Sequence, residues 1–118
     1  MSENLLNLVN TIRERKNKDK DKSYTSSLLS GGLSKCIDKM EEEFGELKEA
    51  LNDKSNEVHE AADTIYHILV TLEAANVKFE DVLQELENRK NQSGIEEKNN
   101  RFIQQIPNSF KTSYHHLL

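Results

Sequence analysis

The chain has 118 residues, with 16 Lys and Arg against 21 Asp and Glu and a formal net charge of −5. That length gives one domain with a modest core and excludes a two-domain or dinucleotide-fold enzyme, while the single cysteine, Cys36, excludes a disulfide framework and a cysteine-based zinc cage. No apolar run nears the ~18 residues that cross a bilayer, the opening MSENLLNLVN lacks the parts of a signal peptide, and the acidic balance suits a cation site better than nucleic acid, so a cytoplasmic protein with no nucleic-acid and no membrane partner is expected.

Few glycines, one proline and the apolar spacing point to an all-α fold. Leu5, Val9 and Ile12 share one face of a first helix that runs to about Lys16. Residues 17–22 alternate Lys with Asn or Asp, have nothing to bury and read as a solvated loop. Residues 23–32 read as a capped short helix stopped by glycine. In the third helix Leu33, Ile37, Met40, Phe44, Leu47 and Leu51 recur at alternating steps of four and three, which is a seam for another helix. After a polar break at 52–55, a fourth helix from about 56 to 75 repeats those steps with Val58, Ala62, Ile65, Leu69 and Leu72. So short a loop predicts an antiparallel hairpin. A fifth helix carries Phe79, Val82, Leu83 and Leu86, and Ser93 with Glu96 has capping-box spacing for a last short helix ended by Pro107. The expected organisation is a helical domain over 1–106 and a loosely held tail over 107–118.

The chemistry lies in the acids. Glu43 with Glu46, and Glu60 with Asp63, are each three apart on a helix, so each pair can grip one object. If the hairpin turns near Asp53, Glu43 lies level with Asp63 and Glu46 with Glu60. Four converging carboxylates repel one another unless cations sit among them, and an all-oxygen ligand set suits a hard ion, so the pattern predicts a Mg²⁺ site. Other metal patterns fail on spacing. His59-Glu60 lacks the second histidine of a zinc-protease helix, no Glu has a His three residues on as a di-iron bundle requires, and Lys22 and Leu28 occupy the glycine and final glutamate positions of an EF-hand begun at Asn17. His67 falls level with Lys39 and is either a group at the substrate or a satisfied buried histidine. Helix four has little purely solvated surface, which suggests an oligomer.

The run Ser23-Tyr24-Thr25 with Leu28-Leu29 and Gly32, then Lys39-x-x-Glu42-Glu43-x-x-Glu46, then Glu60-Ala61-Ala62-Asp63 with Tyr66-His67, resembles the phosphoribosyl-ATP pyrophosphatases of histidine biosynthesis. The resemblance spans roughly residues 5 to 101. The two acidic motifs alone are shared by the wider MazG-type all-α nucleotide pyrophosphohydrolases. The Ser-Tyr-Thr segment and Tyr66-His67 select the histidine-pathway branch, although that branch usually has glycine where Glu41 stands and a small residue at Phe44. The resemblance implies a MazG-like helical bundle completed by homodimerisation. It also implies Mg²⁺-dependent hydrolysis of phosphoribosyl-ATP to phosphoribosyl-AMP and pyrophosphate. Carried over by position, Glu43, Glu46, Glu60 and Asp63 are metal ligands, and Glu42 is a further ligand or orients the attacking water. Ser23, Tyr24, Thr25, Lys35 and Lys39 are assigned to phosphate and ribose, with the lysine-rich loop at 17–22 as an electrostatic guide. The rival expectations are a housecleaning nucleoside triphosphate pyrophosphohydrolase and a non-catalytic helical dimerisation module.

Overall fold

The computed structural model describes residues 2–90, which form five helices. These are α1 (Ser2–Arg15), α2 (Tyr24–Ser30), α3 (Leu33–Asp53), α4 (Glu57–Ala74) and α5 (Phe79–Lys90). Among the described residues there is no strand, as the breaker-poor sequence predicts, and no helix is long and apolar enough to cross a membrane. The segment begun at Ser93 and the tail after Pro107 lie outside the described residues. The chain divides into a first unit, Met1–Phe79, and a second that begins at Glu80. In the second unit α5 carries acids Glu80 and Asp81 in its first turn and Arg89 and Lys90 in its last, the polarity that the helix dipole favours.

Within the first unit the core joins three helices: Val9 and Ile12 of α1, Cys36 of α3, and Leu69 and Val70 of α4. Leu5, Leu28, Leu29, Tyr66 and Phe79 pack around it. The α1 face is the predicted Leu5–Val9–Ile12 stripe, and its C-terminal end is fastened to α4. Lys16 Nζ donates to the Glu73 carbonyl at 3.0 Å and to Asn76 Oδ1 at 2.7 Å, and the Glu73 carboxylate also pairs with Arg13 at 3.6 Å. Serine 23 caps α2 by accepting from the Ser26 amide at 2.9 Å. Gly32, at φ 89°, turns the chain from α2 into α3, a conformation that side chains strain to adopt.

The long hairpin of α3 and α4 forms as expected, but its facing surfaces differ from the apolar seams. The buried residues of α3 are Cys36, Glu43 and Ala50, and those of α4 include Thr64, His67 and Thr71. Leu33, Ile37, Phe44 and Leu51 of α3, with Val58 and Ile65 of α4, are left exposed. The reason lies in hydrogen bonding. Thr64 shares its hydroxyl proton between the Glu60 carbonyl at 2.8 Å and the Glu43 carbonyl at 3.2 Å, and Thr71 does the same with His67 at 2.7 Å and Cys36 at 3.2 Å. These two small polar residues, seven apart, let the backbones approach and set the register. The turn falls at 54–56, where Lys54 and Asn56 take left-handed backbone, and Glu43 lies level with Thr64, one residue from the Asp63 predicted. Thr64→Val keeps the shape and removes one shared hydrogen bond. It is expected to cost about 1 kcal/mol, read as a small fall in melting temperature without loss of helicity.

Candidate metal and phosphate site

Going from the core toward the turn, the hairpin places Thr71 against Cys36, then His67 near Lys39, then Thr64 against Glu43. One oxygen from each of Glu42, Glu43 and Glu46 lies within 4.8 Å of the others, and the same holds for one ligand atom each of His59, Glu60 and Asp63 on α4. The two groups are electrostatically joined. Glu43 is buried, and its carboxyl is pushed above the ordinary value of 4.5 by burial first, then by Glu46, Asp63 and Glu60, against a lowering pull from Lys39. Glu60 Oε1 is buried with no hydrogen-bond partner. Among the described residues no Lys or Arg forms an ion pair with Glu43, Glu46 or Glu60.

An orphaned carboxylate oxygen, a carboxyl raised by burial and by like charges, and acids on both facing helices are features that a divalent cation relieves. The residues therefore fit a hard cation with oxygen ligands, which Glu43 and Glu46 from α3 and Glu60 and Asp63 from α4 could hold. Glu42 stands at the rim, exposed, with Lys39 Nζ 3.3 Å from its Oε1. That contact holds the Lys39 ammonium above its usual pKa.

A wall of aromatic side chains stands beside the acids. His67 is buried and meets the Tyr66 ring edge-on at 5.0 Å and the Tyr24 ring at 6.1 Å. Its pKa is lowered, by burial first and then by Lys39, so the ring is neutral near pH 7. The Tyr66 hydroxyl bonds Thr25 Oγ1 and fixes α2 to α4, while Tyr24 stays 55% exposed, open to a bound molecule. Of the other residues assigned to substrate, Ser23 is engaged in the α2 cap and Lys35 is exposed at the start of α3. Sequence reasoning passed over Thr64 and Thr71, for which the seven-residue spacing of Cys36, Glu43 and Ala50 is a readable counterpart. It also rejected His59 as a zinc-helix residue, whereas its Nε2 lies 3.2 Å from Asp63 Oδ2. The spacing of four between them was the available signal.

The phosphoribosyl-ATP pyrophosphohydrolase family matches residues 5–90 of this chain. Among similar proteins, the phosphoribosyl-ATP pyrophosphatase of Roseobacter denitrificans is 46% identical over 97 residues, covering 80% of this chain and 92% of that protein. That of Rhizobium etli is 40% identical over 99 residues, covering 82% and 92%. The histidine biosynthesis bifunctional protein HisIE of Helicobacter hepaticus is 46% identical over 96 residues, which span 80% of this chain and 42% of the longer protein. No solved structure matches. With the family match covering α1 through α5 and the acid-lined hairpin inside it, the chain belongs to the phosphoribosyl-ATP pyrophosphohydrolase family.

Proposed function

We propose that the chain hydrolyses the α–β phosphoanhydride of phosphoribosyl-ATP, giving phosphoribosyl-AMP and pyrophosphate in histidine biosynthesis. The observation that carries this reading is the facing of two acidic groups across one hairpin, with Glu60 Oε1 buried and unpaired, in a chain of the phosphoribosyl-ATP pyrophosphohydrolase family. An acidic wall holds a polyphosphate only through cations, so the reading includes Mg²⁺. Bound there, the ion supplies neutralising charge for the anhydride oxygens and makes a nearby water more acidic.

The residues do the rest. Glu43, Glu46, Glu60 and Asp63 fix the ion's position from two rigid helices, and Thr64 fixes those helices in register. Glu42, at the rim and free of burial, orients the attacking water and takes its proton, with Lys39 holding the carboxylate. The Lys39 ammonium also balances phosphate charge. Tyr24 and Thr25 face the substrate from α2, and His67 presents a neutral imidazole that adds no charge to the site.

The chain acts as a homodimer in this reading. Leu33, Ile37, Phe44 and Leu51 of α3 and Val58 and Ile65 of α4, the last two 85% and 48% exposed, are the helical stripes that a second copy covers. Six open apolar side chains at helical spacing on a charge-rich chain are the pattern of a helix–helix interface.

Magnesium is expected to raise the melting temperature in proportion to RT ln(1 + [L]/Kd), about 2.7 kcal/mol at a hundredfold excess over Kd. Glu43→Gln should lose that rise. Phosphorus NMR of the reaction mixture tests the bond broken. Pyrophosphate is expected, and release of orthophosphate in its place would contradict the assignment.

A further inference from the structure

An open cleft of about 750 Å³ lies between the end of α1 and the start of α2, and none of Glu42, Glu43, Glu46, Glu60 and Asp63 lines it. Five of its lining residues are cations: Arg13, Arg15, Lys16, Lys18 and Lys22. Among the described residues two more are acids, Glu14 and Asp19, and one is the buried Ser26. In a chain of net charge −5, that is a local excess of positive charge on the scale of a small polyanion.

The cleft is built rather than incidental. Ser26 donates its hydroxyl to the Arg15 carbonyl at 3.0 Å, closing the loop between the helices, and the Ser23 hydroxyl donates to Ser26 Oγ at 2.9 Å. Inside the loop the Lys18 amide bonds the Arg15 carbonyl at 3.2 Å, the Lys22 amide bonds the Asp19 carbonyl at 3.0 Å, and Asp19 Oδ1 accepts from the Asp21 amide at 2.9 Å. Glu73 pairs with both Arg13 and Lys16, at 3.6 and 3.4 Å, which holds the α1 end of the cleft against α4 and leaves the cationic excess to the loop. Among the described residues no carboxylate pairs with Arg15, Lys18 or Lys22. The loop read as a solvated guide is thus one wall of a defined cationic cleft.

We propose that this cleft is a second, metal-independent anion site that takes a phosphate chain. Among the described residues no aromatic side chain lines it, so recognition by these residues falls on phosphate charge rather than on a base. Two sources carry that chemistry: a phosphate of the bound substrate that lies away from the scissile anhydride, and free pyrophosphate. That the cleft binds anions stands without the hydrolase reading; which source fills it rests on that reading.

The probe is inorganic pyrophosphate, titrated calorimetrically into the full chain at low ionic strength with EDTA present. Without metal the acids of α3 and α4 repel the anion, so binding reports the cleft. Saturable binding is expected, weakened at least tenfold in Arg15→Gln/Lys18→Gln/Lys22→Gln, falling with added KCl and intact in Glu43→Gln. The melting temperature of the triple variant should stay unchanged, since none of its three side chains is buried. No binding by the wild type, or equal binding by the triple variant, would overturn the proposal. Turnover then separates the sources. A KM for phosphoribosyl-ATP raised in the triple variant, with pyrophosphate competing against substrate in the wild type, assigns the cleft to substrate. Unchanged KM, with non-competitive inhibition by pyrophosphate that the triple variant loses, assigns it to free pyrophosphate. Failure of the hydrolase reading would show separately, as no turnover of phosphoribosyl-ATP by the wild type with Mg²⁺ beside intact EDTA-resistant binding.

Discussion

Glu43→Gln is expected to lower turnover by about a thousandfold or more while leaving a folded protein that melts no lower than the wild type in EDTA. The size follows from the role: losing an outer partner of a metal ligand costs about ten- to a hundredfold, and losing a ligand itself costs more. The stability follows from electrostatics. Burial, Glu46, Asp63 and Glu60 all oppose the Glu43 charge, so a neutral amide of the same shape relieves repulsion in the metal-free state. Asp63→Asn should behave alike. Activity retained in either variant would remove that residue from the proposed ligand set, and a collapsed circular-dichroism spectrum would assign it to the fold instead.

The same raised carboxyl gives a pH dependence with a definite sign. From the ordinary value of 4.5 up to the higher folded value, the native chain keeps a proton on Glu43 that the unfolded chain has released. The native state then binds more protons, so this group's contribution to stability is full below that window and is lost as pH rises through it. Denaturant melts of the metal-free protein should show that decline, Glu43→Gln should flatten it, and Mg²⁺ should offset it. A wild-type stability that rises through this window in the same proportion as the variant's would mean that the carboxyl is not strained.

The second large effect is on assembly. Ile65→Asp and Phe44→Asp each place a charge in an apolar stripe that is already exposed in the single chain, 48% and 46% respectively. Neither should unfold the monomer. Buried against a second copy, each charge would weaken association by about a hundredfold or more, equivalent to about 2.7 kcal/mol. Sedimentation velocity at micromolar protein is expected to show a wild-type dimer and variant monomers. Variants that sediment as the wild type does would place the interface elsewhere.

How much of this was legible in the sequence differs from feature to feature. The helices of the first unit were, because Leu5, Val9 and Ile12, the long stripe of α3 and the Gly31-Gly32 break all encode local geometry. The level pairing of the acids was also legible to within one residue, since a short turn leaves a hairpin little choice of register. The facing surfaces were not. Periodicity reports that a stripe of α3 is apolar, but not whether its own α4 or another copy covers it. Thr64 and Thr71, polar residues that donate to carbonyls of α3, occupy the inner face of the hairpin, so α4 leaves much of that stripe exposed. The cationic cleft was legible only in part: its lysine-rich loop is plain in the sequence, whereas the Ser26 hydroxyl that closes the loop onto the Arg15 carbonyl shows only in the fold.

The most direct measurement is pyrophosphate release by the purified chain with Mg²⁺, offered phosphoribosyl-ATP beside a panel of nucleoside triphosphates, with EDTA as control. EDTA-sensitive cleavage that strongly prefers phosphoribosyl-ATP is expected. Preference for the triphosphates would move the same metal chemistry to nucleotide housecleaning, and no release from any of them would contradict the reading of the acidic hairpin as a catalytic site.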